Sequence, residues 1–234
     1  MSVDESFVSR TVTAFHGLQG PADEPEFVRQ LTGEIKRSYG PAGLLDIYAR
    51  FSVGDGYLDA LMRNVIWRAA AHGCGAGLHV GSGAVFRHLD TVNLGNGVFI
   101  GAQVNLQGRH DGTCTIGDNV WIGPQTFLDA RALVIEEYVG IGPGVKILGS
   151  VHTARPIDVP VIQTDLEIKP IRIGAWADIG TGATILPGVS VGKGAIIGAG
   201  AIVASDVAPF SVAAGVPAKF LRWRDDRQPA FERH

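Results

Sequence analysis

Aliphatic residues return every six positions along most of this chain. Leu94, Ile100 and Leu106 begin the series, Ile116, Ile122 and Leu128 continue it, and Ile135, Ile141 and Ile147 follow. Ile173, Ile179, Ile185, Val191, Ile197 and Val203 then form an unbroken run, each followed by Gly, Leu or Ala, with Ala or Val at the fifth place of each six. Neither the helical period nor strict alternation produces a six, and a six-residue repeat is the signature of a parallel β-helix. Such a coil has three short flat sides. Each side turns one aliphatic side chain inward and puts a small residue at the corner, where glycine tolerates unusual dihedrals. Eighteen residues make one coil, so the spacing predicts Ile173 over Val191, Ile179 over Ile197 and Ile185 over Val203.

The residues before the repeat follow the helical period instead. Asp23 is a candidate cap for a helix with Pro25 in its first turn and Phe27, Val28, Leu31 and Ile35 on one face, ended by Gly40-Pro41. A short apolar segment, Leu44 to Phe51, follows. Asp55 is then a candidate cap for a helix with Leu58, Leu61, Met62, Val65 and Ile66 in a stripe and Gly73 near its end. The expected organisation is a helical segment over 1–74, a β-helix over 75–224 and a tail over 225–234.

The repeat is broken in three places. Four extra residues lie within Gln107 to Thr115, one precedes Ile135, and the pattern fails from Ile147 to Ile171 or Ile173. Insertions in a solenoid project from its surface, and a long one in a compact body is usually functional. The longest holds the loop 151–170, V-H-T-A-R-P-I-D-V-P-V-I-Q-T-D-L-E-I-K-P. Its prolines disfavour helix, and its Ile157, Val159, Val161, Ile162 and Leu166 need a surface to cover, which suggests the neighbouring subunit of an assembly.

Composition narrows the function. The 234 residues suffice for one large domain, and 32 glycines, about twice the usual share, suit repeated tight turns. A net charge of −3 with scattered basic residues argues against a nucleic-acid partner. Cys74 and Cys114 lie far apart, without the spacing of a zinc ribbon or redox pair, which fits a reducing cytoplasm. The first ten residues lack the pattern of a signal peptide. The apolar stretch Gly182 to Ala204 is a repeat interrupted by Lys193, so no membrane span is expected.

Three features together resemble the hexapeptide-repeat acetyltransferases, a family that includes galactoside, maltose, nodulation-factor and polysaccharide-cluster O-acetyltransferases. They are the repeats, the segment I-G-P-G-V-K-I-L-G-S-V-H-T-A-R-P (141–156) before a loop, and the ending A-A-G-V-P-A-K-F-L-R (213–222). The resemblance covers roughly residues 75 to 224. It implies a left-handed coil, a homotrimer, acetyl-CoA as co-substrate and a saccharide or nucleotide-sugar acceptor. By the same resemblance His152 is the general base, while His16, His72, His79, His88 and His234 have no comparable context. Coenzyme A contacts fall on Thr181, Ala199, Ala204, Ser205, Lys219 and Arg222, and acceptor contacts on Gln103, Asn105 and Asp111. One departure concerns Ala204-Ser205, where many family members read Thr-Lys; Arg222 or Arg224 is the expected compensation.

The resulting expectation is an acetyl-CoA-dependent O-acetyltransferase of a sugar or polysaccharide hydroxyl, with no metal. An N-acetyltransferase of an amino-sugar nucleotide is the alternative, and a non-catalytic scaffold a third reading. The same prism carries zinc-dependent carbonic anhydrases, but those need a further histidine soon after the first, and Thr153 to Ile157 supply none.

Overall fold

The computed structural model describes residues 23–225, together with Ser9, residues 11–14, His16 and Gly20. The tail from residue 226, with His234, lies outside the described residues. Among the described residues three helices come first: α1 (Glu26–Ser38), α2 (Pro41–Phe51) and α3 (Tyr57–Ala70). A parallel β-solenoid of about seven turns follows.

Three parallel sheets form its faces. The first face runs through Gly73–Cys74, Val92–Leu94, Thr113–Ile116, Ala132–Ile135, Ile171–Ile173 and Ser190–Val191. The second begins at His79–Val80 and ends on Ser211–Gly215, against which the last strand, Ala218–Trp223, turns back antiparallel. The third contains Val85–Arg87, Asn105–Gln107, Phe127–Asp129, Lys146–Ile147, Thr184–Ile185 and Ile202–Val203. The predicted stacking is met residue for residue, with Ile173 opposite Val191, Ile179 opposite Ile197 and Ile185 opposite Val203. Insertions leave the register intact. Leu94 pairs with Ile116, Ile116 with Ile135, and Ile135 with Ile173, so the additional residues leave the coil at a corner and return to the same column.

The corner between the second and third faces shows why small residues recur. A Cβ at Gly180 would stand 2.5 Å from the Ala199 nitrogen of the next coil, nearer than real atoms approach. Two residues on, Gly182 and Gly200 adopt left-handed φ of 70° and 67°, and Gln103 and Gln125 take the same conformation at 58° and 61° in earlier coils. The turn imposes the dihedral whichever residue is present.

The helices depart from the sequence reading in several details. Pro25 and Gly56 occupy the N-cap positions, so neither Asp23 nor Asp55 caps a helix. Asp59, inside α3, accepts the Gly56 N–H at 3.1 Å instead. Leu44 to Phe51 is helical rather than merely apolar, because Pro41 suits the first turn of a helix, and Leu44 and Tyr48 are buried one turn apart. Gly40-Pro41 therefore starts α2 as well as separating it from α1. Phe27 and Leu58 are exposed and lie off the buried stripes. Val65, Ile66 and Trp67 pack α3 against the first coil, where Trp67 meets Phe86 edge-on with ring centroids 5.2 Å apart.

Candidate active site

Successive coils leave the third face and enter the first at a common corner, and all the larger irregularities collect there. The insertion 108–112 emerges at this corner, and so does the long loop. A segment that leaves the prism loses the hydrogen-bond partners of adjacent coils and must find others. The long loop does so by pairing with itself. Ser150–His152 runs antiparallel to Leu166–Ile168, with His152 opposite Leu166, and a short 3-10 turn at Val161–Gln163 follows Pro160.

His152 is half-buried at this hairpin, with its Nδ1 3.0 Å from the Thr164 carbonyl oxygen. A carbonyl only accepts, so Nδ1 carries the proton and the Nε2 lone pair is left available. Thr164 is itself fixed. It is buried, its hydroxyl donates to the Val161 carbonyl at 2.7 Å, and it accepts the Ala154 N–H at 3.2 Å. A further bond from the Thr153 N–H to the Asp165 carbonyl, 2.8 Å, closes the ladder beyond His152.

Beside the hairpin base lies a carboxylate that sequence reasoning missed. Asp129 ends the strand Phe127–Asp129 and is buried. Its Oδ2 accepts the Ser150 hydroxyl at 3.1 Å, which ties the coil to the strand bearing His152. Its Oδ1 stands 4.0 Å from Arg109 Nε, too far for a hydrogen bond, and neither buried atom has a hydrogen-bond partner among the described residues. Both atoms are closed to solvent, so the Arg109–Asp129 ion pair braces the base of the hairpin from within. The sequence signal was faint: a carboxylate immediately after an inward leucine, paired in register with Gln107.

The residues expected to hold the acceptor do not lie together. Asp111, in the insertion, shares the corner of His152 and stands 3.6 Å from Arg131 Nε as an ion pair. Asn105 lies on the third face, where it accepts a hydrogen bond from Gln107 Nε2. Gln103 is at the opposite border of that face, where its Oε1 accepts from Gln125 Nε2 at 3.0 Å.

The residues expected to hold coenzyme A divide in the same way. Thr181 and Ala199 are successive members of the corner between the second and third faces, and the Gly200 N–H donates to the Thr181 carbonyl at 2.9 Å. Lys219 pairs with Ala214, whose Cβ lies beside Gly198, so it stands at the end of this column. Ala204 and Ser205 follow Ile202–Val203 and belong to the other border, that of the hairpin. Arg222 is exposed and donates to the Trp223 carbonyl at 3.0 Å. Arg224 donates to the Gly194 carbonyl at 3.0 Å on the corner between the first and second faces, away from Ala204-Ser205 of the same chain. Two columns therefore flank the third face. One carries Gln103, Thr181, Ala199 and Lys219; the other carries Asp111, Asp129, His152, Ala204 and Ser205.

The remaining titratable groups have structural surroundings. His79 stacks on Phe99 at 4.5 Å, and burial, helped by the Arg63 cation, lowers its pKa. His16 meets Phe99 edge-on, and His88 lies 5.8 Å from His110. Cys74 and Cys114 are free thiols, pushed up by burial to about 11 and about 12, which keeps them protonated and unreactive at neutral pH. Among the described residues no cluster of His, Cys, Asp or Glu could hold a metal ion, and no helix is long and apolar enough to cross a membrane.

Solved structures share this architecture. The N-acyltransferase AntD of Bacillus cereus, in complex with dTDP and 3-hydroxybutyryl-CoA, matches with a TM-score of 0.62 at 17% identity, over 70% of this chain and 88% of that one. A hexapeptide-repeat-containing acetyltransferase of Vibrio cholerae, complexed with acetyl-CoA, matches with a TM-score of 0.57 at 21% identity, over 86% and 89%. This chain has the hexapeptide-repeat β-helix fold. A maltose O-acetyltransferase of Clostridium difficile also matches, with a TM-score of 0.55 and 21% identity over 85% and 89% of the two chains. No protein-family model and no curated protein matches the sequence. At these identities the likeness carries the hexapeptide-repeat fold and leaves the chemistry to the residues themselves.

Proposed function

We propose that this chain is an acetyl-CoA-dependent O-acetyltransferase that modifies a hydroxyl of a sugar or polysaccharide by direct transfer, with His152 as general base. The observation that carries this reading is the bond between His152 Nδ1 and the Thr164 carbonyl, because it leaves Nε2 as the ring nitrogen able to take a proton. The acceptor hydroxyl donates to Nε2, and as its proton moves the oxygen attacks the thioester carbonyl carbon. The new C–O bond forms while the carbonyl becomes an oxyanion, which backbone N–H groups can stabilise. Collapse breaks the C–S bond. The imidazolium returns its proton to the departing thiolate, giving an ester and free coenzyme A. Asp111, at the corner of His152, and Asn105, on the third face, are assigned to acceptor hydroxyls, while Asp129 fixes the strand that bears His152 through the Ser150 hydroxyl.

The donor assignment draws support from the relatives of this fold, one of them complexed with acetyl-CoA and another with 3-hydroxybutyryl-CoA. We assign Thr181, Ala199 and Lys219 to one wall of the coenzyme groove, and Ala204, Ser205 and Arg222 to contacts contributed across a subunit boundary. Two columns on opposite borders of one face are brought to a single groove when a second copy packs against the first. A homotrimer, closed by cyclic symmetry, satisfies every copy of that contact, and the loop 153–170 then covers the neighbour's site. Light scattering of the purified protein should give three times the chain mass; a monomer at micromolar concentration would remove the shared groove. A cytoplasmic location suits both the free thiols and the acetyl-CoA supply.

The match to an N-acyltransferase keeps amide formation as a second reading, in which the acceptor amine arrives neutral and needs the base less. Hydroxylamine treatment of the acetylated product separates the two. A labile acetyl group from a saccharide panel supports the ester reading, and a resistant one from an amino-sugar nucleotide supports the amide. Failure to bind coenzyme A at all would favour a scaffold.

A further inference from the structure

Away from the hairpin, between the helices and the first coil, lies a cleft of about 780 Å³. This is within the range of small-molecule sites, roughly 300–1,000 Å³, and too small for a folded partner. Leu44, Leu45, Tyr39, Phe86 and Leu89 contribute its apolar lining. The floor is rigid, because Phe86 is packed between Tyr48 and Trp67, each with ring centroids 5.2 Å from its own.

The polar residues of the cleft are mostly basic. Lys36, His72, Arg87 and His88 line it, and Asp90 is the one carboxylate. Asp90 lies 4.0 Å from His88 Nδ1 at the rim, a contact that becomes an ion pair only when the imidazole is protonated. Lys36 Nζ reaches only the Ala71 carbonyl, at 3.4 Å, and the Arg87 guanidinium has no hydrogen bond or ion pair among the described residues. An apolar hollow edged by two cations without carboxylate partners is complementary to a molecule with an apolar body and one anionic head.

We propose that this cleft is a binding site for a small amphiphilic anion, an aliphatic or aromatic body carrying one carboxylate or phosphate. The apolar part lies against Leu44, Phe86 and Leu89, and the head meets Arg87 and Lys36. The proposal is independent of acetyl transfer, since it uses none of the residues around His152.

Isothermal titration of the full chain with decanoate, decyl phosphate and the neutral decyl tetraethylene glycol ether, each below its micelle concentration, tests it. Saturable binding of one decanoate or decyl phosphate per chain, at least about ten-fold tighter than the neutral ether, supports the site, the stronger of the two naming the head group. The double variant Lys36→Ala, Arg87→Ala should weaken the anion about ten-fold or more and leave the neutral ether unchanged. Leu45→Trp, at an exposed position of α2, should narrow the hollow and weaken binding of both anions while the melting temperature stays near that of the unmodified protein. Equal affinity for the neutral and anionic probes, unchanged binding in the double variant, or no saturation with either anion would each overturn the proposal.

Discussion

In the coiled body the inward aliphatics from Leu94 to Val203 are no more than 4% exposed, whereas the hairpin that interrupts it leaves Ile157 95% and Ile162 78% exposed. The two regions are held by different forces. Each coil buries its aliphatics against the coils before and after it, so stability accumulates through nearest-neighbour contacts. The hairpin is held by a short antiparallel ladder and a few side-chain bonds around Thr164, and contributes little core. The body fixes geometry; the hairpin positions His152 and remains free to meet a partner or an acceptor.

The largest contrast should appear in stability. Ile141→Ala, in the middle of a fully buried column, should lower the unfolding free energy by about 2–5 kcal/mol, whereas Ile162→Ala on the hairpin should change it by less than about 0.5 kcal/mol. Denaturant titration of both variants measures this, and comparable losses would mean that the hairpin belongs to the core. A smaller effect is expected in rate. Thr164→Val removes the hydroxyl bonds that fix the carbonyl behind His152 while keeping volume, and should lower kcat about ten-fold with little change in the KM for acetyl-CoA. Thr164→Ser should restore the rate, which a merely space-filling role would not explain.

The smallest effect concerns pH. Asp178, on the second face of the body, has its pKa raised by burial, only partly offset by the Arg224 cation. A carboxyl whose folded pKa is raised stabilises the fold while protonated, and that contribution is lost as pH rises through the folded value. Asp178→Asn should therefore raise the melting temperature slightly at neutral pH, and the gain should vanish below about pH 4, where the unmodified carboxyl is also neutral. A gain that persisted unchanged at acid pH would assign the effect to something other than ionisation.

The same division governs what could be read from the residues alone. The six-residue period carried the sheet register across every insertion, because Leu94, Ile116, Ile135 and Ile173 must share one inward column whatever loops out between them. Helix starts were less legible. Asp59 holds the Gly56 N–H from within α3, so the capping acid lies on the far side of the cap from Asp55. His152 stood out through the resemblance of the segment 141–156, before the long loop, to the hexapeptide-repeat acetyltransferases. Asp129 and Thr164 did not, since their roles come from coil register and hairpin pairing that bring residues 21 and 12 positions apart into hydrogen bonds. Gln103 and Asp111 are near in sequence yet lie at opposite borders of the third face, because a single strand, Asn105–Gln107, separates their corners.

The central claim is that the hairpin presents His152 as the base for acetyl transfer, and the turnover of His152→Ala with saturating acetyl-CoA and acceptor tests it most directly. The account predicts a fall in kcat of roughly 10²–10⁴, the usual contribution of a general base, with the affinity for coenzyme A retained because its proposed contacts lie elsewhere. Near-normal turnover of His152→Ala would contradict it and move proton removal to another group.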